Sequence, residues 1–177
     1  MAEDRLRLMG RLVGERAELL SQLLGLDGRV LAEEAFLDHW TAKDLLADIA
    51  AWDRWEHRQM ERMVDGASPE DVEVDAQNAA VVDAWRDRSL EQVVAELQDA
   101  RASLVTWLRD LPHREFFQAR PFDDWDRTFP NCLEIQWEHD AEHAAQVASW
   151  RQARGLSGHS GPRCILLAGL DLSLIHI

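Results

Sequence analysis

The stretch WTAKDLLADIAAWD, residues 40–53, is the part of the chain that decides the fold. Thr41 precedes an apolar run, and Asp44 lies three residues after Thr41. This is the spacing of a capping box, which satisfies backbone N–H groups at a helix start. The apolar run is interrupted only by Asp48, and a helix that is apolar almost all round is usually buried. No Pro or Gly occurs in residues 43–64, so this segment predicts one long core helix.

Other segments predict further helices on both sides of this one. Apolar residues recur at helical spacing over residues 6–24, which predicts an amphipathic helix. Residues 30–37 predict a short helix or an ordered connection. A long helical region is expected over residues 75–111, with a break near Ser89, where a second capping box with Gln92 begins. The sequence therefore places at least three helices before Pro112.

The last helix is expected to begin near Asn131 and to end near Arg154. It follows a long connection, residues 113–130, which contains two prolines and several aromatic side chains. No strand pattern is evident. The prediction is an all-α domain over residues 1–155, a four-helix bundle with a long connection before the last helix.

Residues 156–177 do not continue this pattern. They contain almost no charged residues, and the last of them resemble translated adapter or non-coding sequence. We expect a non-native or disordered tail there, the alternative being an apolar tail that docks on the bundle.

Charge and composition limit the classes of function. The 177 residues include 33 acidic and 19 basic ones, a formal net charge of -14, which disfavours binding to nucleic acid or to an anionic membrane surface. Two cysteines without a CxxC motif fit a reducing compartment. The N-terminal residues do not resemble a signal peptide and no run is apolar enough to span a membrane. These features predict a cytoplasmic protein.

The sequence His139-Asp140-Ala141-Glu142-His143 carries the strongest chemical pattern. Histidines four apart on a helix lie on one face, so both imidazoles can reach one ion. Asp48 is the best third ligand, because a buried carboxylate needs an ion pair, hydrogen bonds or a cation; pairing with an arginine or capping of a helix is the alternative. This set suits a divalent metal such as zinc, nickel or iron.

The remaining charges near the two histidines receive simpler interpretations. Glu138 and Asp140 are expected to face solvent. Glu142 completes an HxxEH pattern, in which it would act as general base of an inverted zinc protease, but the chain lacks a suitable partner helix for that architecture.

Several side chains are candidates for lining a pocket around these ligands. The chain has eight tryptophans and no tyrosine, and tryptophans on core helices are more often packing residues than parts of a ligand site. The candidates share a helical stripe with a predicted ligand or precede the second helix. They are Trp52, Trp55, Cys132, Trp150 and His39.

Three segments resemble a known family. Residues 40–53 resemble the second-helix signature of the DinB-like four-helix bundles. Residues 75–91 resemble the third-helix region of the ClbS/DfsB branch, and residues 138–151 resemble its closing helix. The resemblance implies an up-down-down-up bundle, often a homodimer, with a divalent metal ion held at one end by three histidines.

The resemblance also bears on the ligands and the activity. His139 and His143 match two of the family's metal ligands, whereas Asp48 stands where the family has a histidine. Relatives include thiol-dependent transferases, isomerases and proteins that inactivate an electrophilic genotoxin. The implied function is a metal-dependent enzyme, a hydrolase or thiol transferase, acting on a small electrophilic or toxic molecule. The alternative is a metal-free protein that binds or sequesters a small molecule.

Overall fold

The computed structural model describes residues 2–37, 39–122 and 125–156. Four long helices form a bundle. They are α1 (Ala2–Leu23), α3 (Ala42–Asp65), α5 (Leu90–Asp110) and α7 (Phe129–Ala153), connected by α2 (Gly28–Glu33), β1 (Ala35–Leu37), β2 (Trp40–Thr41), α4 (Val74–Trp85), α6 (His113–Phe117), β3 (Arg120–Phe122) and β4 (Trp125–Arg127). The predicted tail, apart from Leu156, lies outside the described residues.

Helices α3 and α5 run in the same direction. Lys43, at the start of α3, donates to the backbone carbonyls of Arg86 and Arg88, just before α5. Further along both helices, Arg54 pairs with Glu96 at 2.8 Å. Two consecutive long helices can be parallel only if a connection returns the chain, and α4, which packs along α3, is that connection.

Helices α1 and α7 are also parallel to each other. The Arg16 side chain contacts Asp140 near the middle of both helices, and Arg151 donates to the carbonyl of Gln22 at their far ends. These two helices form the most extensive contact between elements of the described chain. They therefore make up one half of the bundle, and α3 and α5 make up the other.

The two halves are antiparallel. Arg5, near the start of α1, donates to the carbonyl of Leu111 after the end of α5, while Arg101 in the middle of α5 donates to the carbonyl of Leu12. The order of directions is thus up (α1), down (α3), down (α5), up (α7). The predicted all-α, up-down-down-up bundle with a long connection before its last helix is confirmed.

Two clusters of buried side chains fill the bundle, one toward each end. The first contains apolar residues of α3, α5 and α7 and includes Leu45, Leu46, Ile49, Leu97 and Val147. The second lies under α6 and the β3–β4 hairpin and includes Met60, Leu104, Leu108, Phe116, Phe129 and Leu133. The candidate ligand Asp48 belongs to the stretch of α3 that contributes to the first cluster.

Local signals placed two helix starts correctly and one incorrectly. Capping boxes are present at Thr41 before α3 and at Ser89 before α5. The last helix was expected to begin near Asn131 but begins after Thr128, and Asn131 is the N3 partner of that capping box. The reason is Pro130, which lies in the first turn, where a missing N–H costs nothing.

The expectation of no strands was wrong in detail. Residues 35–41 and 120–127 include two short antiparallel hairpins, β1–β2 and β3–β4. Each is two-stranded and packs against the helices, which is why so short a strand can persist. Among the described residues, no helix is both long and apolar enough to cross a membrane.

Candidate metal centre

Helices α3 and α7 bring Asp48, His139 and His143 together. One ligand atom from each side chain lies within 4.8 Å of the other two. The Nε2 atoms of His139 and His143 are 2.8 Å apart, and His139 Nε2 is 3.8 Å from Asp48 Oδ2. The structure therefore assembles, from two antiparallel helices, the three residues that the sequence nominated.

These distances fit a single ion after small adjustments. Two ligand atoms about 2.1 Å from one ion lie about 3.0–3.4 Å apart at angles between 90° and tetrahedral, and at most about 4.2 Å apart. The distance between the two imidazole Nε2 atoms, 2.8 Å, is slightly shorter than this range. The distance from His139 Nε2 to Asp48 Oδ2, 3.8 Å, is slightly longer. All three ligand atoms lie within 4.8 Å of one another, so a shift of about 0.6 Å or less brings every pair within the maximum of about 4.2 Å.

Burial sets the protonation states of these groups. Asp48 is 2 % exposed and His143 is 8 % exposed. Burial raises the pKa of the Asp48 carboxyl to about 7. Burial, and after it the neighbouring His143, lowers the pKa of His139 to about 4. Both imidazoles are consequently neutral at pH 7, the form that binds a metal ion.

The carboxylate of Asp48 lacks the partners that a purely structural role would need. Its Oδ1 atom is buried without a hydrogen-bond partner among the described residues. No arginine of the described chain pairs with it, and its contact with a basic side chain is with the neutral imidazole of His139. The alternative reading, in which Asp48 pairs with an arginine, therefore receives no support from the geometry. A bound cation would satisfy the orphaned oxygen.

Three of the five predicted pocket residues are aromatic side chains of α3 and α7. Trp52 lies beside Asp48, donates its indole N–H to Asn78 Oδ1 at 2.9 Å, and packs edge-on against Trp55. Trp150 lies about two turns beyond the ligand pair on α7, where it packs against Phe36. Of these residues, Trp52 lies nearest to a ligand along its helix, one turn after Asp48.

The other two predicted pocket residues are not brought to the ligands. Cys132 is in the second core cluster, with its Sγ 3.9 Å from Met63 Sδ. It shares a stripe with His143 but lies eleven residues away, about 16 Å along the helix axis. Burial raises the pKa of its thiol to about 12. His39 lies exposed in the turn between β1 and β2.

Next to the site is a buried charge network that the sequence did not reveal. Each long helix contributes one member: Arg16 from α1, Asp53 from α3, Arg101 from α5 and Asp140 from α7. Their ion-pair distances are between 2.8 and 3.1 Å. Asp140 was expected to face solvent, but it is fully buried. The expectation was wrong because both arginine partners of Asp140 come from distant parts of the chain.

Two polar side chains of α7, Gln146 and Glu142, lie next to His143 along the helix. Gln146 contacts the His143 ring, with Oε1 2.7 Å from Nδ1, and sequence reasoning missed it. Its spacing of three residues on one helix is the only signal that could have indicated it. Glu142 is exposed and accepts a hydrogen bond from Gln146, so it does not face the ligands as the base of a zinc protease would.

No protein-family model matches the chain, and no curated protein matches it. Solved structures do. An uncharacterised protein from Escherichia coli UTI89 superposes with a TM-score of 0.73 at 15 % identity, covering 86 % of this chain and 95 % of the other. YfiT from Bacillus subtilis, described as a probable metal-dependent hydrolase with an unusual four-helix bundle topology, superposes with a TM-score of 0.71 at 16 % identity, covering 89 % and 91 %.

A third similar structure is DfsB, described as a sibling lethal factor precursor. Its TM-score is 0.69 at 12 % identity, over 86 % of this chain and 98 % of the other. At these identities the comparisons establish the fold. The chain thus has the fold of the DinB-like four-helix bundles, the class to which the sequence resemblance pointed.

Proposed function

We propose that this protein is a metal-dependent enzyme of the hydrolase type, with Asp48, His139 and His143 as ligands of one divalent metal ion. The observation that carries the proposal is the convergence of these three side chains within 4.8 Å. The probable activity given for YfiT, which has the same fold, supports the reaction type. Three protein ligands leave coordination positions open for water and substrate, as catalytic metal sites require.

The chemistry divides between the ion and the chain. A divalent ion in this position would act as a Lewis acid and lower the pKa of a water molecule. The chain holds both histidines neutral and presents the Asp48 carboxylate from the otherwise apolar stretch of α3 over residues 45–52. Trp52 borders the carboxylate and supplies an apolar surface for a small substrate. We propose a small electrophilic molecule as that substrate.

The nucleophile in this proposal comes from outside the chain. Cys132, the one cysteine among the described residues, is 1 % exposed and its pKa is raised to about 12. A thiol that is both buried and protonated is inert. Water, or a thiol that arrives as a cosubstrate, is therefore the attacking group.

Metal content and hydrolysis together test the proposal. Untagged protein is analysed by elemental analysis, and zinc, nickel and iron are then titrated into the metal-free form. We expect about one equivalent of metal per chain, lost in His139→Ala, His143→Ala and Asp48→Ala and retained in the exposed control His113→Ala. Hydrolysis of activated esters and epoxides by the loaded protein should stop on chelation. Wild-type protein that binds none of these metals would instead indicate a metal-free binding protein.

A further inference from the structure

Gln146 lies one turn beyond His143 on α7 and contacts the ring nitrogen of His143 that does not meet the other candidate ligands. We propose that Gln146 is a positioning residue, which holds the imidazole of His143 in the one neutral tautomer that can bind a metal ion. This inference rests on the proposed function, because it concerns the same ligand set.

The neighbours of Gln146 fix the orientation of its side-chain amide. Its Nε2 donates to the Glu142 carboxylate at 3.3 Å, and its Oε1 lies 2.7 Å from His143 Nδ1. Rotating the amide by half a turn would set its oxygen against the Glu142 carboxylate, where two acceptors would repel each other. Glu142 thus selects the orientation in which Gln146 presents an acceptor to the ring.

The orientation of the Gln146 amide determines which ring nitrogen of His143 carries the proton. Since Gln146 Oε1 can only accept, the short contact requires Nδ1 of His143 to carry the hydrogen. A neutral imidazole has one N–H, so Nε2 must then carry the lone pair. This is the atom 2.8 Å from His139 Nε2. Gln146 therefore leaves the metal-binding lone pair of His143 directed into the site.

The two histidines differ in which ring nitrogen carries the hydrogen in the metal-free protein. The Nε2 contact between the rings requires one hydrogen, and His143 does not supply it, so in the metal-free protein His139 Nε2 donates it. Nδ1 of His139 has no hydrogen-bond partner within the described parts of the chain, and its side chain is 26 % exposed. His143 is thus held in the binding tautomer, whereas His139 must exchange its ring proton with solvent when an ion binds.

Because Gln146 is partly exposed on α7, its role can be tested without removing a core side chain. The variants are Gln146→Leu, which removes the acceptor, and Gln146→Glu combined with Glu142→Gln, which keeps an acceptor beside His143 and exchanges donor and acceptor between positions 142 and 146. Gln152→Leu, at an exposed glutamine of the same helix, is the matched control. Zinc affinity is measured by chelator competition, and melting temperature confirms folding. We expect an affinity loss of about 10- to 100-fold in Gln146→Leu, near wild-type affinity in the combined variant and no change in the control.

A second readout separates this inference from the proposed function. Nitrogen-15 NMR of the metal-free protein reports which ring nitrogen of His143 is protonated. We expect hydrogen on Nδ1 in wild type and in the combined variant, and a mixture of tautomers in Gln146→Leu. Zinc binding that is unchanged in Gln146→Leu, or hydrogen on Nε2 in wild type, would overturn the inference. If wild type binds no metal, the proposed function fails while the NMR result still decides the role of Gln146.

Discussion

Arg101 and Asp53 form a two-contact ion pair at the centre of the bundle, with Nε to Oδ2 at 3.0 Å and Nη2 to Oδ1 at 2.8 Å. Both side chains are almost fully buried. Arg101 also reaches Asp140 on α7, and Arg16 on α1 reaches both aspartates. Two positive and two negative charges therefore cancel, which is the condition under which charges remain in a protein interior.

Removing one member of this network should destabilise the fold strongly. Asp53→Ala leaves two buried guanidinium groups with a single carboxylate, and we expect a loss of about 3–5 kcal/mol in the free energy of unfolding. Urea unfolding followed by tryptophan fluorescence measures it. The control is Glu33→Ala, which breaks the exposed pair with Arg29 and should cost less than about 0.5 kcal/mol. Equal losses of unfolding free energy in Asp53→Ala and Glu33→Ala would contradict the stabilising role of the buried charge network.

The position occupied by Asp48 should control metal preference. Replacement by histidine, Asp48→His, would recreate the three-histidine set that the family resemblance implies. Imidazole favours zinc and nickel, whereas carboxylate oxygen is the better ligand for manganese. We expect the ratio of zinc to manganese affinity to rise by about tenfold or more, measured by competition titration. An unchanged ratio would mean that Asp48 does not contact the ion.

Metal affinity should depend on pH through Asp48. Its pKa of about 7 means that a cation and a proton compete for the carboxylate below that pH. Apparent affinity should therefore rise by about tenfold per pH unit between pH 5 and 7 and level off above pH 8. In Asp48→Asn the remaining affinity should lack this slope. Calorimetry in two buffers of different ionisation enthalpy counts the released proton directly.

A second buried carboxyl, Glu56 on α3, predicts a different pH effect. It is 3 % exposed, and burial raises its pKa to about 7 from 4.5, with Arg127 opposing the rise. Between these two values the folded state holds a proton that the unfolded state has lost. The contribution of Glu56 to stability therefore falls as pH rises through this window.

Replacing Glu56 by glutamine should remove that loss. We expect Glu56→Gln to exceed wild type in the free energy of unfolding at pH 8 by up to about 3 kcal/mol and to match it near pH 4.5. Chemical denaturation at both values measures the difference. Glu138→Gln, at an exposed position of α7, should show no such pH dependence. A wild type that is more stable than Glu56→Gln at pH 8 would refute the raised pKa.

The parts of the structure that followed from sequence are those governed by local chemistry. The caps at Thr41 and Ser89 depend on residues three positions apart, and the helical face shared by His139 and His143 depends on a spacing of four. Asp48 was identifiable because it is the single charge in the apolar run of residues 45–52. In each case the deciding residues are neighbours along the chain, so their pattern is visible without the fold.

The parts that did not follow depend on contacts between distant segments. Asp140 is a charged helix residue like any other until Arg16 and Arg101 are brought to it across the bundle. Cys132 shares a stripe with His143, but a stripe runs the whole length of a helix and does not fix distance along it. Sequence spacing therefore predicts which face a residue occupies more readily than which neighbours it meets.

The parallel arrangement of α3 with α5 has a consequence for folding kinetics. Because α4 must first return the chain and α7 closes the bundle last along the sequence, Asp48 meets its histidines across a gap of about 90 residues. An ion can bridge both helices only after that long-range docking has occurred. Added zinc should consequently slow unfolding far more than it speeds refolding.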